Sequence, residues 1–235
     1  MASSDPMDKK DDLQSRIRTA FPLAQPSTHA QEKKPPHYLP RSANAGGRRA
    51  EASEVPPAPS KLMQAMLTTD GSFTLLLEAL AGEPVNVEIL RQTVQAPNAL
   101  QAVKLQTTVD MPVLDRTVLL KANSGRVLTY ATSAIVLERL PQTMQAVLLE
   151  GVTPVGKLLR TARWPQFREL DGWQLHPVSG EAATHLAVDL AYVRAYTIFV
   201  HLAGVDRPQP IMHITEYFAE YLGQADFHAA RDDRK

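Results

Sequence analysis

Two stretches of this 235-residue chain fold back on themselves, and they constrain the architecture more than any other feature. In the first, apolar runs from Arg116 to Leu120 and from Val127 to Val136 flank Ala122, Asn123, Ser124 and Gly125, a composition suited to a tight hairpin turn. In the second, Leu186 to Leu202, rich in β-branched and aromatic residues, meets Ile211 to Tyr217 across the Gly- and Pro-containing segment Gly204 to Pro210. Val85 to Val94 alternates at period two, as a half-buried strand does. Hairpin-joined strands make an antiparallel sheet, and no strand-loop-helix alternation supports a doubly wound one. Helical spacing appears before these strands, at Leu62, Met63, Met66 and Leu67 behind a Ser60 N-cap and again from Phe73 to Leu80. It returns between the hairpins. Met144, Val147 and Leu148 follow Pro141, Gly151 ends that helix, and Val155 to Arg163 turns Leu158, Leu159 and Ala162 inward. The expected class is α+β: an antiparallel sheet carrying helices on one face.

The rest of the composition sets boundaries. Nine of the 18 prolines precede residue 60, so residues 1–58 read as a disordered leader, 59–226 as the domain and 227–235 as a flexible tail. With hydrophobic residues at 44% and charged residues at 21%, the domain can bury one substantial core. Formal net charge is zero, so no global field favours nucleic acid or an anionic membrane as partner. There is no cysteine, hence neither a disulfide framework nor thiolate chemistry. No apolar run is long enough to cross a membrane and the polar, acidic N-terminus is not a secretory signal, so the expected location is cytoplasmic.

Against this background two charges stand out. Arg116 lies in the apolar run Pro112 to Leu120, and Glu216 in the run Pro210 to Phe218. A charge in a core-like strand must be paired or must wait for a ligand. Between them, Gly151 to Lys157 is a turn entering a helix, whose free backbone N–H groups suit a carboxylate. An arginine, an anion-ready helix start and a carboxylate acceptor describe a site for a small hydroxylated acid. The commoner roles stand beside this one: an ion pair of Arg116 with Asp115 or Glu138, a solvated Glu216, and packing roles for Trp164, Phe167 and Trp173. Arg160, Arg163 and Arg168 read as a solvated helix face. None of the glycine-rich nucleotide loops, zinc-protease helices or nucleophile elbows is present, and the seven histidines show no metal-ligand spacing.

The run Arg116 to Val136, then Leu149 to Leu159, then Arg194 to Phe199 and Gln209 to Phe218 resembles chorismate pyruvate-lyase, most closely the branch of cyanobacteria, plastids and mycobacteria. The resemblance spans about residues 61–222 in order. It implies a six-stranded antiparallel sheet with helices on one face, and cleavage of chorismate into 4-hydroxybenzoate and pyruvate without metal or cofactor. By the same resemblance, Arg116 takes the ring carboxylate together with backbone N–H groups near Phe73 and Val155, and Glu216 accepts from the ring hydroxyl. A burial-raised pKa would also let Glu216 donate a proton. The second arginine of the bacterial lyases, fifteen residues after the first, is replaced by Ala131, a small residue that the resembling branch shares. Arg194, which alternation puts on one side with Tyr192, Tyr196 and Ile198, is the candidate to meet the enolpyruvyl carboxylate, ahead of Lys121, Lys157 and His213.

Two functions are thus carried forward. One is a lyase supplying 4-hydroxybenzoate for a quinone or a phenolic product. The other is a noncatalytic small-acid-binding module, since the same fold forms the effector domain of a family of bacterial regulators, or a lyase for a related chorismate derivative.

Overall fold

The computed structural model describes residues 58–223 apart from residue 203. The expected leader, but for its last residue, and the tail lie outside the described residues. The sheet has six strands, all antiparallel: β1 Val85–Gln95, β2 Val113–Ala122, β3 Val127–Ile135, β4 Gln166–Pro177, β5 Leu190–Val200 and β6 Gln209–Ala219, in the order β1-β2-β3-β6-β5-β4. The helices are α1 Lys61–Thr68, α2 Phe73–Ala81, α3 Ala99–Lys104, α4 Gln142–Glu150, α5 Val155–Ala162 and α6 Gly180–Leu186. This is the α+β class that the hairpins require.

Local chemistry accounts for most of the element ends. Ser60 caps α1 by accepting from Met63 N at 3.1 Å. The β2–β3 hairpin closes at Gly125, whose φ of 89° is open to glycine and whose N–H donates to Ala122 O at 2.8 Å. Pro141 stands one place earlier than expected, as the N-cap of α4 rather than its first residue.

Side-chain alternation puts one face of the sheet under α1, α2, α4 and α5. Met63, Met66, Leu67, Phe73 and Leu77 pack there with Leu120, Tyr192 and Phe218, while Met144, Leu148 and Leu159 pack with Ile135, Ile198 and Ile214. Three elements go beyond the sequence reading. The edge strand β4 lies where no strand was expected, because its residues are almost all exposed or half-exposed and a bulge interrupts its register between Leu170 and Gly172. The long segment Leu186 to Leu202 divides into the end of α6 and β5, separated by Ala187 at φ 54°. Helix α3, held by a reciprocal capping box between Asn98 and Gln101, and α6 sit over parts of the opposite face, against Leu105, Val113 and Ala134 in one cluster and Leu119, Tyr130 and Ala191 in the other.

Candidate functional site

Between the helix layer and the sheet lies a cavity of about 610 Å³, the open solvent at its mouth included. Its floor is built by strand register. Arg116 on β2 stands opposite Ser133 on β3, which pairs with Ile214 on β6, which pairs with Tyr196 on β5. One step along the strands, Val118, Ala131, Glu216 and Arg194 form the adjacent row. Period-two alternation therefore aims Arg116 and Glu216 at the same side, with one strand between them.

Arg116 is only 2% exposed, and its Nε and Nη2 have no hydrogen-bond partner among the described residues. Burial lowers its pKa to about 10, which leaves the guanidinium charged at neutral pH. Neither ordinary explanation of this arginine fits. Asp115 accepts from Gln101 at 2.9 Å, and no ion pair joins Arg116 to it or to Glu138 among the described residues. A buried cation without a protein anion is a standing electrostatic cost that an anionic ligand would remove.

The roof supplies two helix starts. Phe73 and Thr74 open α2, Val155 and Gly156 open α5, and all four line the cavity. Neither helix is capped by a side chain, which leaves their first N–H groups and positive dipole ends without a side-chain acceptor. The two starts come close because residue 156 is glycine: a Cβ there would sit 2.9 Å from Thr74 Oγ1. Lys157 secures the approach by pairing with Glu78 at 2.6 Å and donating to Val85 O at 3.0 Å. Burial works against the Glu78 carboxylate, but the bonds to Lys157 and to the Val85 N–H outweigh it and keep its pKa below the ordinary value.

Glu216 is buried and held from two sides. Arg194 Nε donates to its Oε2 at 2.7 Å and Tyr196 OH donates to its Oε1 at 3.2 Å. Burial, followed by the Glu216 charge, pushes the Tyr196 hydroxyl above its ordinary pKa, so it stays a donor at neutral pH. Both carboxylate oxygens thus accept a hydrogen bond from the protein, one of them from a cation.

Five residues were expected in the site from sequence. Arg116, Glu216, Phe73 and Val155 line the cavity together. Arg194 does not. Its Nη1 donates to Met66 O at 2.5 Å and Thr69 O at 3.2 Å, and its guanidinium lies 4.3 Å from the Phe73 ring centre, behind Glu216. Alternation placed it on the correct face but could not reveal that its charge is already spent. The three weaker candidates are engaged as well: Lys121 with Glu88 at 2.8 Å, Lys157 with Glu78, and His213 with Asp171 at 3.1 Å. Arg168 is the residue that sequence reasoning missed. It belongs to β4 rather than to a helix face, and it lines the cavity. Its signal was the short alternation of Gln166, Arg168 and Leu170, which the Asp171–Gly172 break cut too short to read as a strand. Among the described residues no group of three or more His, Asp and Glu side chains is gathered to hold a metal ion, and no helix is long and apolar enough to cross a membrane.

Comparison with known proteins bears on the same stretch. A family model described as "Chorismate pyruvate-lyase Rv2949c-like" matches residues 67–226. A probable chorismate pyruvate-lyase of Halorhodospira halophila is 35% identical over 118 residues, 50% of this chain and 61% of that protein, so the match spans less than two thirds of the relative's length. The chorismate pyruvate-lyase of Mycobacterium leprae is 28% identical over 166 residues, 69% of this chain and 76% of that one. Among solved structures, the effector domain of PhnF from Mycobacterium smegmatis is 16% identical, covering 63% of this chain and 88% of that chain, at a TM-score of 0.48. The family match covers most of the described residues, from the end of α1 through the last strand. On that match this chain belongs to the chorismate pyruvate-lyase Rv2949c-like family.

Proposed function

We propose that the protein is a cytoplasmic lyase that cleaves chorismate to 4-hydroxybenzoate and pyruvate with no metal or cofactor. The observation that carries this reading is the buried, unpartnered Arg116 in a cavity whose floor also holds Glu216. Chorismate offers a planar ring carboxylate, which a guanidinium fork receives as two parallel hydrogen bonds. The uncapped starts of α2 and α5, at Phe73 and Val155, add N–H groups to the same anion. Glu216, fixed by Arg194 and Tyr196, accepts from the ring hydroxyl.

Little else is asked of the side chains. The C3–O bond of the enolpyruvyl ether breaks, the C4 hydrogen passes to the methylene carbon of the departing group, and the ring becomes aromatic. Every atom of the substrate is then found in the two products. Aromatisation supplies the driving force, and the protein contributes by holding one conformer in a cavity walled by Val118, Leu120, Ile198 and Ile214.

The test is incubation of the purified full chain with chorismate, following 4-hydroxybenzoate by chromatography and pyruvate by a coupled assay. Equimolar release is expected. Saturable binding of 4-hydroxybenzoate without any release would replace the lyase by a noncatalytic acid-binding module.

A further inference from the structure

Chorismate is a dicarboxylate, and position 131, where bacterial lyases outside the branch that this chain resembles carry a second arginine, is alanine here. Ala131 pairs with Glu216 across β3 and β6, so an arginine there would rise from the floor beside that carboxylate. With alanine in its place that part of the floor is open, and the cation must come from elsewhere. Among the described residues, Arg116 and Arg168 are the two cationic residues that line the cavity. Arg194, Lys121, Lys157 and His213 are each held by a carboxylate partner.

Arg168 approaches from the opposite side to Arg116. Its strand is the edge strand β4, four places from β2 in the sheet, and its backbone partner is Ile198, whose side chain also faces the cavity. Four spacings of about 4.8 Å separate the two backbones by roughly 19 Å, a gap that two long side chains reaching inward reduce to the scale of a small ring acid. Among the described residues Arg168 makes one hydrogen bond, from Nη1 to Asp70 O at 2.9 Å, which leaves most of its five donors uncommitted. That bond fixes the side chain against the turn leading into α2. Its charge is also felt at Tyr196, the residue that donates to Glu216.

Building on the lyase reading, we infer that Arg168 binds the enolpyruvyl carboxylate and so takes over from the opposite edge of the sheet the task that Ala131 cannot perform. Arg116 would then hold the part of the substrate that becomes 4-hydroxybenzoate, and Arg168 the part that leaves as pyruvate. The two arginines should separate in their effects on substrate and product.

The experiment compares the full chain with its R168Q and R168K variants, measuring KM and kcat for chorismate and the Kd of 4-hydroxybenzoate. The product has no enolpyruvyl carboxylate. R168Q should raise the chorismate KM about tenfold or more while changing 4-hydroxybenzoate affinity less than about twofold, and R168K should recover part of the loss because a point charge remains. An unchanged chorismate KM in R168Q, or an equal weakening of substrate and product, overturns the assignment of Arg168 while the lyase reading stands. If the unaltered protein neither binds nor cleaves chorismate, the lyase reading falls and this assignment falls with it.

Discussion

Arg116 and Arg194 are the two largest fully buried side chains of the described residues, 2% and 1% exposed, on the same face of the same sheet, yet their electrostatic situations are opposite. Arg194 has a carboxylate at 2.7 Å, two backbone carbonyls from the end of α1 and three aromatic rings around it. Arg116 has a cavity. The contrast teaches how a protein divides the same residue type between scaffold and site. A buried charge surrounded by partners fixes the parts it joins, here α1, β5 and β6. A buried charge without partners lowers the stability of the free protein and keeps that energy available for a ligand.

The sharpest attempt to break the comparison is Arg194→Leu. It would leave Glu216 as an uncompensated buried charge and the carbonyls of Met66 and Thr69 without their donor, at a cost of about 3–5 kcal/mol. Urea unfolding of the free protein should show this loss directly. A change within measurement error would mean that Arg194 is not the structural member of the pair.

Arg116→Met should do the reverse. Removing an unpaired buried cation for an apolar chain of similar length should leave the free protein as stable or more stable, by about 1–3 kcal/mol, while abolishing stabilisation by 4-hydroxybenzoate. Thermal unfolding with and without 4-hydroxybenzoate reads both effects. Loss of stability in the free variant would show that Arg116 has structural partners after all.

His213 offers the mildest case, on the opposite face of the sheet with Asp171 as its hydrogen-bonded partner. Burial holds its pKa below the ordinary 6.5, and Lys104 adds to this, while Asp171 pulls the other way. The folded state therefore prefers the neutral ring more than the unfolded chain does. That contribution to stability is present above pH 6.5 and is lost as the pH falls through the lower folded value. Urea midpoints measured above and below pH 6.5 should drop on acidification, and the drop should be smaller in His213→Gln. An identical slope in the variant would assign the acid sensitivity to other groups.

Legibility in the sequence followed burial. Strands β1, β2, β3, β5 and β6 carry inward apolar side chains at period two, and each was readable within a few residues of its ends, apart from the start of β5. The exception, β4, carries Phe167 and Trp173 on an edge at 45% and 39% exposure, where no regular pattern is imposed by a core on both sides. The same blindness hid Arg168, which belongs to that strand. Arg116 and Glu216 could be named because a charge interrupts an apolar alternation, whereas Phe73 and Val155 could be named only through the family resemblance. Arg194 satisfied the same criterion and does not line the cavity, because alternation reports the face of a side chain and not the partner at its tip.

The sequence by itself determined that the chain forms an antiparallel sheet with helices, and which side of that sheet receives Arg116 and Glu216. Both follow from the two-residue period of a strand, which is a local property. Tertiary structure alone decided which buried arginine is free. Met66 O, Thr69 O and Glu216 come from segments 125 to 128 residues before Arg194 and 22 residues after it, and only folding brings them to one guanidinium while leaving the other facing an open cavity.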